Sequence, residues 1–295
     1  WMDGIIADGD TAASLKKYKG RLIETKYVKD ISLSKIKEKK LEAGATPDNR
    51  RAKLSRLIKS KKIVRILEAH SALTGLIIEN LSVLKNKNYF AFDGMWSSSL
   101  TDSTIRGKPD NQSVDYSTRI LGLNEILDVT TKPFIFDGDN GGRIEHLPFI
   151  IKTLDRLGVS AIILEDKVGL KKNSLFKEQS GVKQDTKKDF SKKIFVSKKS
   201  AVSKDFMVIA RIESFILGKD INDALSRANA YSKAGADAIM IHSKEKNPNQ
   251  VFSFAKKFRK SKYFKPLVAV PSTYSFTTEK KLVENGFKIV IYANQ

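Results

Sequence analysis

The sequence predicts an α/β protein with a (β/α)₈ barrel, the TIM-barrel fold, and two observations support this. Eight apolar runs of strand length recur along the chain, each bounded by turn or helix signals. Amphipathic stretches separate them, and eightfold alternation of strand and helix closes into a barrel more naturally than it forms an open sheet. The predicted strands are Val64–His70, Ala91–Ser99, Pro133–Asp139, Ser160–Lys167, Asp205–Ser214, Asp237–Ser243, Pro266–Ser272 and Lys288–Asn294.

Several of these runs are continuously apolar instead of alternating. Ala161–Leu164 and Ala238–Ile241 show this most clearly, and it is typical of parallel strands that are covered on both faces. Between the runs, Gly141–Gly158 and Asp220–Gly235 carry apolar residues at three- and four-residue steps. The sequence therefore predicts a parallel sheet with helices packed outside it.

Three parts of the chain do not fit the eightfold scheme. Residues 1–52 are polar, with a short helix predicted over Leu33–Glu42, and form an N-terminal extension of unknown role before a barrel domain of residues 53–295. Residues 168–204 are rich in Lys and Ser and longer than a barrel loop requires, which favours a lid or disorder. The last strand ends at Gln295, so the barrel is expected to lack its final helix, and the start at Trp1 indicates a processed or excised chain.

Composition excludes some classes of protein. The sequence has no cysteine, so it has no disulfides, thiolate metal sites or cysteine nucleophiles. No apolar run approaches the roughly 18 to 20 residues that span a bilayer, and no signal-peptide pattern is seen, so a soluble, cytoplasmic protein is expected.

The formal net charge of +21 is compatible with a polyanionic binding partner. The excess comes mainly from lysines spread along the chain, which favours a solvated basic surface and predicts no nucleic-acid or membrane partner. The alternative is a basic nucleic-acid-binding protein on a degenerate barrel, which salt-sensitive binding without turnover would reveal.

Polar and ionisable residues follow the predicted strands, where a barrel places its active site. They are Glu68 and His70, Trp96 and Ser98, Asp137 and Asp139, Glu165 and Lys167, Arg211 and Glu213, His242 and Ser243, Ser272, and Asn294. The sequence therefore predicts one shared polar mouth at the C-terminal ends of the strands.

Two acidic motifs stand at the ends of the third and fourth strands. Asp137-Gly138-Asp139 places two carboxylates two residues apart, which suits a hard cation such as Mg²⁺, although a polar turn would look the same. Glu165-Asp166-Lys167 begins a loop that carries Lys171 and Asn173, and a charged, solvated loop is the alternative interpretation.

Arg211 and His242 emerge from the next two apolar strands. A buried arginine needs an anionic partner, either a substrate carboxylate or phosphoryl group or the neighbouring Glu213. His242 could equally be a satisfied core histidine.

Taken in order, these motifs resemble those of the phosphoenolpyruvate mutase family, within the isocitrate lyase superfamily. The resemblance covers roughly residues 53–295, and its most specific part is the loop Glu165–Ser174. The matching segments are Glu68-Ala69-His70, Trp96-Ser97-Ser98-Ser99-Leu100, Asp137-Gly138-Asp139, Glu165-Asp166-Lys167 with Lys171, Asn173 and Ser174, Arg211-Ile212-Glu213-Ser214, and Gly235-Ala236-Asp237-Ala238 leading to His242-Ser243.

The resemblance implies a role for each of these positions. Asp137 would be the direct Mg²⁺ ligand, while Asp139, Glu165 and also Asp110 would hold the metal's waters. The implied catalytic residues are Asp110, which faces the migrating phosphoryl group, Lys171 and Asn173 on a gating loop, Arg211 and His242. The implied substrate-binding residues are Trp96, Ser98, Ser99, Leu100 and Ser174.

The implied activity is interconversion of phosphoenolpyruvate and phosphonopyruvate, which forms a carbon–phosphorus bond, in a homo-oligomer (dimer or tetramer). The segment Asn140-Gly141-Gly142-Arg143 departs from the usual Thr-Gly-Tyr-Gly, and the second strand end has serine where glycine is common. Phosphonopyruvate hydrolase and oxaloacetate decarboxylase-like enzymes remain alternatives; the Lys171 and Asn173 pair favours the mutase. Carbon–carbon lyases of the superfamily use a cysteine that this chain lacks.

Overall fold

A closed barrel of eight parallel strands forms the centre of the protein in this computed structural model, which describes residues 45–85, 88–169, 171–174, 179 and 181–293. The predicted (β/α)₈ barrel is confirmed. Its strands, in order around the barrel, are β1 (Val64–Glu68), β4 (Gly94–Ser97), β5 (Phe134–Asp137), β6 (Ala161–Glu165), β9 (Met207–Ile212), β10 (Ala238–Ile241), β11 (Leu267–Ala269) and β12 (Phe287–Tyr292), which pairs back with β1.

Helices follow the barrel strands along the chain. Several begin where the side chain of an N-cap residue accepts a hydrogen bond from the third helical N–H, as Asp115, Thr186 and Asp220 do. The helices are α1 (Pro47–Ser60), α2 (Ala72–Asn80), α3 (Ser99–Thr104), α4 (Tyr116–Asp128), α5 (Leu147–Leu157), α6 (Lys187–Ser200), α7 (Ile221–Lys233), α8 (Asn249–Phe258) and α9 (Glu279–Glu284).

Alternation along each strand divides the core into two layers. Inward residues such as Ile66, Ile163 and Ile209 fill the barrel, whereas outward residues such as Phe136 and Leu164 pack against the helices. Because both faces of the strands are buried, the runs are continuously apolar in sequence.

Helix α1 lies beneath the barrel, on the side away from the C-terminal strand ends. Leu54 and Ile58 join the cluster inside the barrel. Arg50 donates to the main-chain oxygens of Leu127 and Thr130, just before β5. The expected boundary between residues 52 and 53 thus falls within α1, and residues 1–44, including Leu33–Glu42, lie outside the described residues.

The fully buried Leu54 provides a test of this packing. Leu54→Ala should lower the free energy of unfolding by about 2–5 kcal/mol, because truncation of a buried leucine leaves a cavity. Urea denaturation measures this change in the free energy of unfolding. Leu121 on α4 is 68% exposed, so Leu121→Ala should change stability by less than about 0.5 kcal/mol. Equal costs for the two variants would mean that α1 does not close the barrel.

Several predicted element limits were wrong. The second barrel strand begins at Gly94 instead of Ala91, because Ala91 ends β3 (Asn88–Ala91), which pairs with β2 (Ser82–Lys85) in a hairpin. Helix α5 begins at Leu147 instead of Gly141, since Gly141 and Gly142 adopt positive φ angles that a helix does not allow.

The connection over residues 168–204 contains a helix where a lid or disorder was predicted. Its second half is α6, whose Phe190 and Ile194 are buried against the barrel. Its first half begins at β7 (Lys167–Val168) and ends at β8 (Lys183–Gln184). These two short strands pair with each other in antiparallel orientation. The sequence also predicted that no eighth helix follows the last strand. That prediction falls on the chain after Ala293, outside the described residues.

Among the described helices, none is both long enough and apolar enough to cross a membrane.

Candidate active site

A cavity opens at the C-terminal ends of the barrel strands, where the sequence predicts the site. Its empty space is about 520 Å³, part of which is open to solvent. The residues to which the resemblance assigns a role all line it except Asp139, which is buried beside it. Of the other residues predicted at strand ends, Ser272 lines the cavity and Asn294 lies outside the described residues, while five do not line it: Glu68, His70, Lys167, Glu213 and Ser243. The lining residues are Trp96, Ser98, Ser99, Leu100, Asp110, Asp137, Glu165, Lys171, Lys172, Asn173, Ser174, Arg211, Met240, His242, Val270, Ser272 and Ala293.

Asp137 ends β5, and hydrogen bonds hold its carboxylate in place. The main-chain N–H and hydroxyl of Ser99 donate to Oδ2 over 3.4 and 3.0 Å, and the N–H of Asp139 donates to Oδ1 over 3.1 Å. Burial alone would raise the pKa of Asp137, but Lys171 and then Arg119 outweigh it and lower the pKa below its usual value. Asp137 is therefore an ionised carboxylate at the cavity wall.

Lys171 reaches from the loop after β7 into this acidic wall. Its ammonium donates to Asp110 Oδ1 over 2.7 Å, pairs with Asp139 Oδ1 and donates to Ser99 Oγ. Burial opposes the charge, yet Asp139 and Asp137 hold the pKa of Lys171 above its ordinary value. Only 8% of this lysine is exposed, so its ammonium lies within the acidic wall and away from solvent.

A second charged group lies across the cavity around Glu213. Arg211 pairs with Glu213 over 2.5 Å and with Glu165 over 3.3 Å, and it donates to Ser174 Oγ over 2.8 Å. The nearest oxygen of Glu213 lies 3.4 Å from the ammonium of Lys167. Arg211 therefore has internal carboxylate partners and also lines the cavity, and its role toward a substrate stays a prediction.

His242 directly follows β10, and its Nδ1 lies 3.2 Å from Glu213 Oε1. Burial, and then the neighbouring Arg211 cation, lower the pKa of His242, so its imidazole is neutral near pH 7. A neutral ring that donates Nδ1–H to Glu213 keeps Nε2 as an acceptor.

The charges of the site leave room for a divalent cation. Within the described residues, ion pairs link five carboxylates to four cationic side chains. Asp137 in the cavity lining brings the carboxylates to six, which leaves two negative charges if all are ionised. Burial raises the pKa of Glu165 to about 7, which the cations only partly offset. The carboxylates are Asp102, Asp110, Asp137, Asp139, Glu165 and Glu213, and the cations are Arg119, Lys167, Lys171 and Arg211.

The donor atoms also suit Mg²⁺. The described residues contain no ready cluster of three His, Asp or Glu side chains around one point. Mg²⁺ does not need one, because it retains several waters and binds to one or two carboxylates and substrate oxygens. Asp137 could take the direct position, and Asp139, next to it in the turn, and Glu165, in the same cavity lining, could hold waters.

Behind the cavity, the fully buried Asp166 ties the loop to the barrel. It accepts hydrogen bonds from Glu213 N (2.9 Å), Tyr231 Oη (2.7 Å) and Gln184 Nε2 (2.9 Å). Burial raises its pKa to about 6, against the opposing effect of these bonds. Asp166 thus joins β8, β9 and α7 beneath the cavity.

Sequence reasoning missed two charged residues of the site, Asp102 and Arg119. Arg119 on α4 donates to Asp102 Oδ2 over 2.8 Å and lies 3.6 Å from Asp139 Oδ2. It shares the buried face of α4 with Leu123, Ile126 and Leu127. An arginine within this apolar stripe was the signal that could have revealed it.

Comparison with known proteins gives the family. A model of the family described as phosphoenolpyruvate phosphomutase matches residues 54–295. The chain belongs to this family. Phosphoenolpyruvate phosphomutase of Tetrahymena pyriformis is 34% identical over 243 residues, which cover 82% of this chain and 76% of that protein. Phosphonopyruvate hydrolase of Variovorax sp. is 31% identical over 242 residues, 81% of each chain.

Solved structures of the phosphoenolpyruvate phosphomutase family share the fold. Phosphoenolpyruvate phosphomutase from Streptomyces platensis subsp. rosaceus superposes with a TM-score of 0.75 at 32% identity, covering 83% of this chain and 80% of that one. A phosphonopyruvate hydrolase in complex with oxalate and Mg²⁺ gives 0.72 at 29% identity, covering 84% and 81%. The family and the barrel are thus established, and the activity within the family is the remaining question.

Proposed function

We propose that the protein is a Mg²⁺-dependent phosphoenolpyruvate mutase that interconverts phosphoenolpyruvate and 3-phosphonopyruvate. One observation carries the proposal. Lys171, Asn173 and Ser174, from one loop, line the same cavity as Asp137, Glu165 and Arg211. This arrangement combines hard oxygen ligands for a metal with cations for an anionic substrate under a loop that restricts water.

The reaction moves a phosphoryl group between two atoms of pyruvate enolate. From phosphonopyruvate, the carbon–phosphorus bond breaks with its electron pair left on carbon, and the enolate oxygen then forms the new bond to phosphorus. No proton or external reactant is consumed. The protein must therefore neutralise charge on both fragments and keep water from the phosphoryl group.

The residues can be assigned to these tasks. Asp137 would hold Mg²⁺, with Asp139 and Glu165 on its waters, and the ion would neutralise charge that develops on substrate oxygens. Arg211, His242 and Asn173 would bind substrate oxygens, and Lys171 with Asp110 would face the migrating group. Trp96 and Ser98 to Leu100 would hold the pyruvyl part.

Exclusion of water separates the mutase from the rival hydrolase. A phosphonopyruvate hydrolase must admit a water molecule in line with phosphorus, whereas a mutase must exclude it. Of the loop that would exclude water, the described residues Lys171 and Ser174 are only 8% and 3% exposed, and Ser174 accepts a hydrogen bond from Lys167 over 2.7 Å, which supports the mutase. The 31% identity to a phosphonopyruvate hydrolase keeps that activity as the second candidate.

A coupled assay distinguishes the two activities. With phosphonopyruvate, Mg²⁺, lactate dehydrogenase and NADH, a hydrolase should consume NADH directly because it releases pyruvate. The mutase should consume NADH only after pyruvate kinase and ADP are added, because it releases phosphoenolpyruvate. Rapid consumption before that addition would establish the hydrolase instead.

The proposal includes a small 2-oxo acid as substrate and a homo-oligomer, either a dimer or a tetramer. Sedimentation equilibrium of the full chain would measure the oligomeric state. The cytoplasmic location stays a prediction from the sequence.

A further inference from the structure

Arg119 is a buried cation that does not line the cavity yet contacts the turn that carries both aspartates. It projects from α4 and is 2% exposed. Its Nη1 donates to the main-chain oxygen of Asp137 over 2.6 Å and lies 3.6 Å from Asp139 Oδ2. Its guanidinium also stacks over Phe136 at 4.4 Å.

The turn that Arg119 contacts has an unusual backbone. Asp139 has a φ of +47°, in the left-handed region that residues with a side chain rarely adopt. Tyr116, also on α4, donates to the main-chain oxygen of Gly138, and Gly138 N donates to Ile163 O over 2.8 Å. Such a conformation persists only where its surroundings impose it, and α4 supplies two of the contacts.

Arg119 has a second partner, and pairing with that partner alone could explain why a cation is buried here. Asp102 accepts from Arg119 Nε over 2.8 Å and from Ser97 Oγ over 2.8 Å. A buried carboxylate needs a cation, so Arg119 could serve Asp102 alone. Of the two remaining nitrogens of the planar guanidinium, Nη2 donates to Ser97 Oγ over 3.4 Å, but Nη1 is directed at Asp137 and Asp139, which Asp102 does not require.

We propose that Arg119 is a positioning residue for the metal carboxylates. It fixes the main chain of Asp137 and the side chain of Asp139, so that the turn presents the Asp137 carboxylate to the cavity before any metal arrives. The proposal rests on the Mg²⁺ site of the proposed function.

The decisive variant is the double replacement Arg119→Met with Asp102→Asn. It removes cation and anion together, so no buried charge is left unpaired and the fold should persist. Binding of Mn²⁺, which uses the same oxygen ligands, is measured by the EPR signal of the free ion with Mg²⁺ as competitor. The dissociation constant should rise about tenfold or more, as is typical when a contact that orients a ligand is lost.

Two further variants complete the test. Arg119→Lys keeps the charge but loses the fork, and should raise the dissociation constant by a smaller factor. Arg51 is a matched control, since it is 6% exposed and pairs with the buried Asp155 beneath the barrel. Arg51→Met should lower the melting temperature but leave Mn²⁺ affinity unchanged.

Each outcome decides between the explanations. Wild-type Mn²⁺ affinity in the double variant would overturn the proposal and leave Arg119 as the counter-ion of Asp102. If neither the double variant nor Arg119→Lys folds, the proposal is overturned as well, because Arg119 would then be required for folding and not for positioning the carboxylates. If the unaltered chain bound no Mn²⁺ or Mg²⁺, the metal site of the proposed function would itself fail.

Discussion

Asp137→Ala should abolish turnover, with kcat/KM lower by at least about a thousandfold. The variant removes the carboxylate assigned as the direct metal ligand, and metal stabilisation of developing charge contributes several kcal/mol. Two hydrogen bonds from Ser99 and one from Asp139 hold this group at the cavity wall. Initial rates with phosphonopyruvate and Mg²⁺ measure the loss.

The matched control is Asp128→Ala, since Asp128 is exposed at the end of α4, away from the cavity. It should keep the unaltered rate. Mn²⁺ binding should be lost in Asp137→Ala and kept in Asp128→Ala. Turnover in Asp137→Ala within tenfold of the unaltered chain would remove Asp137 from the metal site.

Lys171→Met should lower kcat/KM by about a hundredfold or more, while Mn²⁺ binding without substrate is kept or strengthened. The rate falls because the variant removes a buried cation from the position assigned to the migrating phosphoryl group. Metal binding does not fall, because the Lys171 ammonium pairs with Asp139 and Asp110 and so competes with a metal for the same carboxylates. Steady-state rates and EPR titration of Mn²⁺ measure the two effects.

Lys188→Met is the control, since Lys188 is exposed on α6. Both its rate and its Mn²⁺ affinity should match those of the unaltered chain. A Lys171→Met variant that loses Mn²⁺ binding along with activity would contradict the assignment, because Lys171 would then support the metal site instead of the substrate.

The barrel was predictable because its strands are buried on both faces. Ala161–Glu165 and Met207–Ile212 are apolar almost throughout, and each carries one charged residue, Glu165 or Arg211, near the end where the cavity begins. Helix α6 was not predicted, because only a narrow face of it is buried. Lysines fill its exposed face, and Phe190 and Ile194 alone mark the buried one, so the segment resembled a solvated connection.

In the site, residues that follow strands were predictable and residues on helices were not. Asp137, Glu165 and His242 reach the cavity because parallel strands end at one edge of the barrel. Arg119 and Asp102 arrive from α4 and α3, and their approach depends on helix packing that strand order does not define. The interlocked ion pairs around Glu213 likewise depend on distances between strands that sequence spacing does not contain.

The most direct test of the proposed function is phosphorus NMR of the protein with phosphonopyruvate and Mg²⁺. Phosphoenolpyruvate, free phosphate and unreacted phosphonate give separate signals. A phosphoenolpyruvate signal should grow without free phosphate, and it should be absent with Asp137→Ala. Free phosphate as the first product, or an unchanged phosphonate signal with Mg²⁺ bound, would contradict the mutase.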